Sequence, residues 1–320
     1  MLAAVFTQYG GPENLVLKEV PPPVPKNDEV LVRVRAVSIN EWDFGALQGK
    51  PFVNRMIFGL RKPARQILGS DVAGEVETVG KNVRHLKPGD AVFGDLNGTW
   101  GGFADYVCAK ETAWARKPAD MTFEQAAAIP QAGLLALQGL RKGGIRDGQT
   151  ILINGAGGGV GIFSLQLASM HGASITAVDR PEKEALVRSL GAGDFIDYSK
   201  EDFTRTGRRY DLILDVMTDR PMSAYARALN PGGTYVTVGG SHARLLQTFL
   251  LGRLVACRQR KKLRVLALRT NESLSEMTAL FEAGTVRPVI DGHYSARQTI
   301  DAFRHYSTGL HQGKIVITWV

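Results

Sequence analysis

Residues Thr150 to Gly161 read TILINGAGGGVG, an apolar strand-like run, a glycine-dense turn and the start of an apolar helix. The chemistry this arrangement supports is capture of a diphosphate. Gly155 permits the tight turn, Gly158 lets backbone approach a pyrophosphate with no Cβ in the way, and Gly161 lets helix and sheet pack closely. The free N–H groups and the dipole at the helix start, around Ala156, Gly158, Gly159 and Val160, then face the dianion. The spacing is Gly-x-x-Gly-x-x-Gly rather than Gly-x-Gly-x-x-Gly, and a glycine loop by itself is often only a turn. Its place between a strand and a helix is what points to a dinucleotide.

Asp179 ends the next strand, 24 residues beyond Gly155. A carboxylate there accepts hydrogen bonds from the adenosine ribose and repels a 2′-phosphate, which favours NAD. Arg180 follows at once and Lys183 one turn later, and two cations there bind a 2′-phosphate, which favours NADP. A solvated loop and helix start is the plain alternative for all three residues, and the choice between the two cofactors stays open. Tyr198, after the third strand, is placed either to stack near an adenine or to pack in the core.

The elements that must position these residues follow from periodicity. Glu29 to Val37, EVLVRVRAV, alternates as a half-buried strand does. Similar short runs follow in VAGEVETVG, DAVFGDL and GGFADYVCA, broken by turns such as Lys87-Pro88-Gly89-Asp90, and imply a β-rich domain ending near Pro118. From Phe123 the pattern changes. A helical run over 124–142, interrupted by Pro130, precedes strands at 150–154, 174–178, 194–197, 210–216, 234–238 and 263–268, with helices at 160–171, 182–190 and 222–229. That alternation predicts a doubly wound parallel sheet. The tail, with a helix near 274–282, an extended segment at 286–290 and a strand at 314–320, is too short for its own core and is expected to pack on the β-rich domain. The expected division is residues 1–120 with 271–320, and residues 121–270.

The 320 residues are 44% hydrophobic and 22% charged, which excludes a disordered or collagen-like chain. No run of eighteen apolar residues occurs, and the first residues lack a basic leader followed by an apolar core, so a cytoplasmic protein is expected. Cys108 and Cys257 are too few and too far apart for a disulfide framework. A net charge of +8 suits nucleic acid, an acidic membrane surface or anionic small molecules.

Taken together, AAAIP, the GLLALQGL helix, INGAGGGVG, LVRSLGAGDFIDY and the closing GKIVIT, with VSINEWDFGALQG, ILGSDVAGEVETVG and KPGDAVFGD near the front, resemble the zinc-independent quinone oxidoreductase branch of the medium-chain dehydrogenase/reductase family. The resemblance covers essentially the whole chain. It implies an α/β protein with a GroES-like β-rich catalytic domain and a Rossmann domain, a homodimer, and NADPH-dependent reduction of quinones or other activated alkenes. Asn40 and Asp43 match the branch's Asn-x-x-Asp motif, where the asparagine lies beside nicotinamide and substrate. Val216 and, on the following strand, Val238, Gly239 and Gly240 are carried over as strand ends facing the cofactor. Leu135 stands where many relatives have a cofactor-binding Thr, and a Tyr that follows the Asn motif in some relatives is absent, leaving no proton donor assigned.

Zinc-dependent members of the family need Cys and His ligands. Here Asn40 to Asp43 occupies the first ligand region, Ser70 stands where histidine would be, and the six histidines show no metal spacing, so no metal is expected. Without a Lewis acid, an alkene conjugated to a carbonyl is the easier hydride acceptor, with hydrogen-bond donors stabilising the developing enolate. One stretch departs from a plain reductase: Leu245 to Arg264 couples an apolar run to six basic residues. It reads as a substrate-side helix with a solvated basic end, a lid, or a peripheral contact with acidic lipid. The alternative function is an NADPH-binding protein with little or no turnover that binds RNA or an acidic partner. No RNA-reading motif supports nucleic acid.

Overall fold

The computed structural model describes residues 1–319, apart from the side chains of His242, Leu251 and residues 253–259. The chain divides into two compact units, one comprising Met1–Gln131, Thr270–Glu282 and Pro288–Val320, the other Ala132–Arg269 and Ala283–Arg287.

In chain order the first unit opens with β1 (Leu2–Phe6), β2 (Leu15–Glu19) and β3 (Glu29–Ser38). Helices α1 (Glu41–Gln48) and α2 (Phe52–Phe58) follow, then β4 (Asp71–Val79), β5 (Ala91–Asp95), β6 (Tyr106–Lys110), β7 (Ala115–Arg116) and α3 (Phe123–Ala128). The alternation in β3 places Val30, Val32 and Val34 in the core while Arg33 and Arg35 point outward and pair with Glu77 and Glu75 of β4 at 3.2 and 3.0 Å. Beyond Val34 the alternation stops, and Ala36, Val37 and Ser38 are all buried. That end of β3 lies in mid-sheet between β4 and a strand from the tail, and α3 packs against it.

Pro130 divides the long helical run as expected. Thr122 and Gln125 cap α3 reciprocally, with Thr122 Oγ1 accepting from Gln125 N and Gln125 Oε1 accepting from Thr122 N. A new helix, α4 (Pro130–Gly143), starts at the proline, whose fixed φ suits a first helical position.

The second unit then runs β8 (Thr150–Asn154), α5 (Gly159–Ser169), β9 (Ser174–Asp179), α6 (Glu184–Ser189), β10 (Asp194–Asp197), β11 (Tyr210–Asp215), α7 (Met222–Arg227), β12 (Leu229–Thr237), α8 (His242–Gln259) and β13 (Lys262–Val265). Its six strands are parallel, in the order β10-β9-β8-β11-β12-β13. The winding reverses between β8 and β11, the switch point at which open parallel sheets bind ligands. Ile151, Leu152 and Ile153 of β8 and Leu212, Ile213 and Leu214 of β11 are fully buried. A run without alternation is what a strand covered on both faces requires.

The tail supplies α9 (Leu274–Glu282), β14 (Ile290–Ser295), α10 (Thr299–Thr308) and β15 (Lys314–Thr318). β15 inserts between β14 and β3, completing a seven-stranded sheet of the first unit. The extended segment expected at 286–290 forms as a strand only from Ile290. Val286 is buried in the second unit, and both the N–H and the carbonyl of Arg287 bond the Gln166 side chain, which uses the backbone groups a strand partner would need.

Candidate functional site

Two groups of residues carry the chemistry, one in each unit. In the second, the glycine turn lies at the carboxyl end of β8. Gly155 has φ +82°, a conformation side chains disfavour, so its role in the tight turn is visible in the backbone. A Cβ on Gly161 would fall 2.3 Å from the carbonyl oxygens of both Gly155 and Ala156, so this glycine permits the helix to approach the turn. Gly158 differs. A Cβ there would meet nothing nearer than Gly155 O at 3.6 Å, so the fold does not require a glycine, whereas a ligand approaching the backbone does. Beyond it, the first-turn N–H groups of α5, at Gly159 and Val160, have no intrahelical acceptors. The turn therefore fits a pyrophosphate. Ala156 is fully buried beneath it, its N–H donating to Val178 O.

Asp179 faces inward. Its Oδ2 accepts from Gly157 N at 2.8 Å, its Oδ1 accepts from Arg180 N at 2.8 Å, and Lys183 Nζ lies 3.8 Å from Oδ1. Both Asp179 and Lys183 are buried, and the Lys183 stem covers Gly157, where a Cβ would be 2.6 Å from Lys183 Cδ. The carboxylate thus holds the glycine turn, a use that spacing alone did not reveal. Arg180 turns outward and donates from Nε to Tyr198 Oη at 2.9 Å, and Tyr198 is 44% exposed, which excludes the core-packing alternative.

At the neighbouring strand ends, Asp215 ties the edge together. Its Oδ1 accepts from Asn154 Nδ2 at 2.7 Å and from Met217 N at 3.0 Å, and its Oδ2 accepts from Tyr235 Oη at 2.8 Å. Val216, Val238 and Gly239 are half-buried and Gly240 is exposed on this edge. Leu135 is half-buried on α4.

In the first unit a buried polar cluster surrounds Asn40. Sheet register builds it. Val316 of β15 lies opposite Ser38, Ser38 opposite Asp71 of β4, and Asp71 opposite Asp95 of β5. Directly opposed residues share a face, so these side chains form a row. Continuing the β15–β3 register two residues outward brings Lys314 beside Asn40. Lys314 Nζ donates to Asn40 Oδ1 at 2.5 Å and to Ile39 O at 3.3 Å, and lies 3.5 Å from Asp71 Oδ2. Asn40 Nδ2 donates to Ser70 Oγ at 3.3 Å. Asp71 also accepts from Gln131 N at 3.1 Å and from Ser38 Oγ at 3.5 Å. Asp43 accepts from Asn40 N on Oδ2 and from Gly69 N on Oδ1, both at 2.9 Å, so it anchors the start of α1.

All these residues are buried, and burial dominates their acidity. It pushes Asp43 up to about 7 and Asp95 up to about 8, with nearby Asp71 adding to both. It also raises Asp71 and lowers Lys314, but each of these is opposed by the other's charge. Asp71 and Lys314 thus offset one another, because an unpaired ion here would bear the whole desolvation cost. Sequence reading found Asn40 and Asp43 but missed Ser38, Asp71, Asp95, Gln131 and Lys314. Lys314 had one local signal: a cation opening an otherwise apolar strand, KIVIT. Trp42, weighed as an apolar wall or a core aromatic, is 40% exposed, so it is not core. Among the described residues, no group of three or more His, Cys, Asp or Glu side chains is arranged to hold a metal ion.

A doubly wound unit with a glycine turn at its switch point, joined in one chain to a β-rich unit carrying a buried amide–carboxylate–ammonium cluster, defines a nicotinamide-dependent oxidoreductase. Residues 26–119 match the alcohol dehydrogenase GroES-like domain, and residues 190–317 match a family described as zinc-binding dehydrogenase. The chain is 33% identical to 2-methylene-furan-3-one reductase of Solanum lycopersicum, over 99% of this chain and 79% of that one. It is 31% identical to NADPH-dependent alkenal/one oxidoreductase, chloroplastic, of Arabidopsis thaliana, with the same coverage. The solved quinone oxidoreductase from Coxiella burnetii superposes with a TM-score of 0.89 at 28% identity, covering 99% of this chain and 98% of that one. The chain belongs to the quinone oxidoreductase branch of the medium-chain dehydrogenase/reductase family.

Proposed function

We propose that the protein is a zinc-independent reductase that transfers hydride from NADPH to quinones or α,β-unsaturated carbonyls. The observation that carries this is the Asn40 carboxamide. It is buried and held on both sides by Lys314 and Ser70, a neutral fixed donor suited to an oxygen that gains charge as hydride arrives. NADPH, when bound at the glycine turn, supplies the hydride. Gly158 and the α5 N-terminus would hold its pyrophosphate, and Asp43 keeps the backbone at Asn40 in place. The named reductases among the relatives favour turnover over the alternative of a non-catalytic RNA- or acid-binding protein.

The preference for NADPH over NADH rests on Asp179. Its oxygens are occupied by the turn and its charge is paired by Lys183, while Arg180 and Tyr198 face outward as a pair suited to a 2′-phosphate. Initial rates with NADPH and NADH against 1,4-benzoquinone, 9,10-phenanthrenequinone and an alkenal, with chelator present, test the whole proposal. Turnover in chelator with NADPH preferred is expected, and Arg180→Gln should raise the KM for NADPH about tenfold while leaving that for NADH nearly unchanged. Equal use of both cofactors would overturn the 2′-phosphate assignment, and no turnover with any acceptor would overturn the reductase.

The proposal includes a homodimer, to be tested by sedimentation velocity, and contact of residues 245–264 with anionic lipid. Leu246, Phe249 and Leu250 are exposed on α8 and support the contact, while the side chains of Cys257 and of the basic residues Arg253 and Arg258 lie outside the described residues. Vesicle co-sedimentation independent of anionic lipid would remove it. No described helix is long and apolar enough to cross a membrane.

A further inference from the structure

We propose that Lys314 is a positioning residue for the reduction: its ammonium locks the Asn40 carboxamide in one orientation and strengthens that amide as a donor. This rests on the reductase reading and adds a residue to it.

A primary amide has nearly the same shape when its oxygen and nitrogen are exchanged, so packing alone does not choose between the two orientations. Hydrogen bonding does. Lys314 Nζ can only donate, and it donates to Oδ1, while Nδ2 donates to Ser70 Oγ. Flipping the amide would place NH₂ against an ammonium, two donors facing each other in a buried site. The ammonium is itself fixed, since Lys314 is 4% exposed and is held by Ile39 O and by Asp71, which Gln131 N, Ser38 and the Asn40 amide hold in turn. A cation on Oδ1 also draws electron density through the amide, making its N–H a stronger donor to a developing oxyanion. Lys314 thereby acts through Asn40 without touching substrate.

Removing the lysine alone would strand Asp71 as an unpaired buried ion, so the test uses the Lys314→Met/Asp71→Asn pair. The measurements are kcat and KM for 1,4-benzoquinone, NADPH affinity by fluorescence titration, and folding by circular dichroism. The expected result is a fall in kcat of at least about tenfold with NADPH affinity within about twofold of the parent. Asn40→Ala should fall by a similar factor, and combining all three substitutions should lower kcat no further than Asn40→Ala alone. Lys314→Arg should recover part of the loss. Multiplying losses in the combined variant, or full kcat in either parent variant, would overturn the proposal. If the Met pair fails to fold, Lys314→Gln/Asp71→Asn, whose shorter amide can present either oxygen or nitrogen and so no longer fixes Asn40, takes the same measurements. The Asn40 side-chain ¹H–¹⁵N pair tests the geometry without turnover: it should be resolved and slow to exchange in the parent protein and lose that protection in the Gln/Asn pair. Identical signals in both would overturn the proposal. A parent protein without turnover would instead count against the reductase reading, and the amide signals would then decide the role of Lys314.

Discussion

At the residue scale, Asp95 shows how burial sets chemistry. It is 1% exposed, its Oδ1 accepts from Asn97 N, and its Oδ2 has no hydrogen-bond partner among the described residues. Desolvation, with Asp71 nearby, pushes it up to about 8. The folded protein therefore retains a proton that the unfolded chain releases at about 3.9. Stability from this group is whole below that unfolded value and is lost as pH rises towards about 8, because the folded state binds more protons. Asp95→Asn should flatten that decline, so its stability relative to the parent should rise between pH 5 and pH 8 in denaturant titrations. A stability difference that stays flat over that window would mean that Asp95 is ionised in the fold. Gly158→Ala makes a second prediction. With only an ordinary contact at 3.6 Å, it should leave Tm nearly unchanged yet weaken NADPH binding by about tenfold or more, read by fluorescence titration.

At the element scale, the start of α5 distinguishes a glycine that the fold needs from one that a ligand needs. Gly161→Ala would set a Cβ 2.3 Å from two backbone oxygens that cannot rotate away. The helix must shift, at a cost of about 1–3 kcal/mol, the range for overpacking a tight site. Thermal melts should therefore show a lower Tm for Gly161→Ala and not for Gly158→Ala, while both lose cofactor affinity. Equal Tm losses would mean that Gly158 is a folding requirement as well. In β3 the period of two held only where one face stays outside the core. The buried Ala36-Val37-Ser38 end was less legible because a central strand covered on both faces leaves no alternation to read.

At the scale of the whole molecule, the first unit is assembled from both ends of the chain. Ile315, Val316 and Ile317 are at most 1% exposed, and β15 lies between β14 and β3. A chain ending at Gln312 should lose the native first unit, since it uncovers the β3 edge and removes Lys314. Near-ultraviolet circular dichroism retaining the full-length signal would contradict this. Turnover of the untruncated chain should also survive exhaustive dialysis against chelator, because the proposed donor to substrate is the Asn40 amide; loss of activity restored by zinc would refute that.

The two kinds of layer and the glycine turn are legible in the sequence alone, because each is written in residues close along the chain, whereas Asn40 and Asp43 stood out only by resemblance to a family motif. Turn chemistry, helix capping and hydrophobic period are local, and dinucleotide binding uses them in one continuous segment. Which way Asp179 faces and what surrounds Asn40 depend on contacts between distant segments. The carboxylate is claimed by Gly157, 22 residues earlier, and the asparagine by a lysine 274 residues later. Strand register joins β3 to β4, β5 and β15, and the need to neutralise charge in a place without water pairs Asp71 with Lys314. No spacing rule along the chain encodes either.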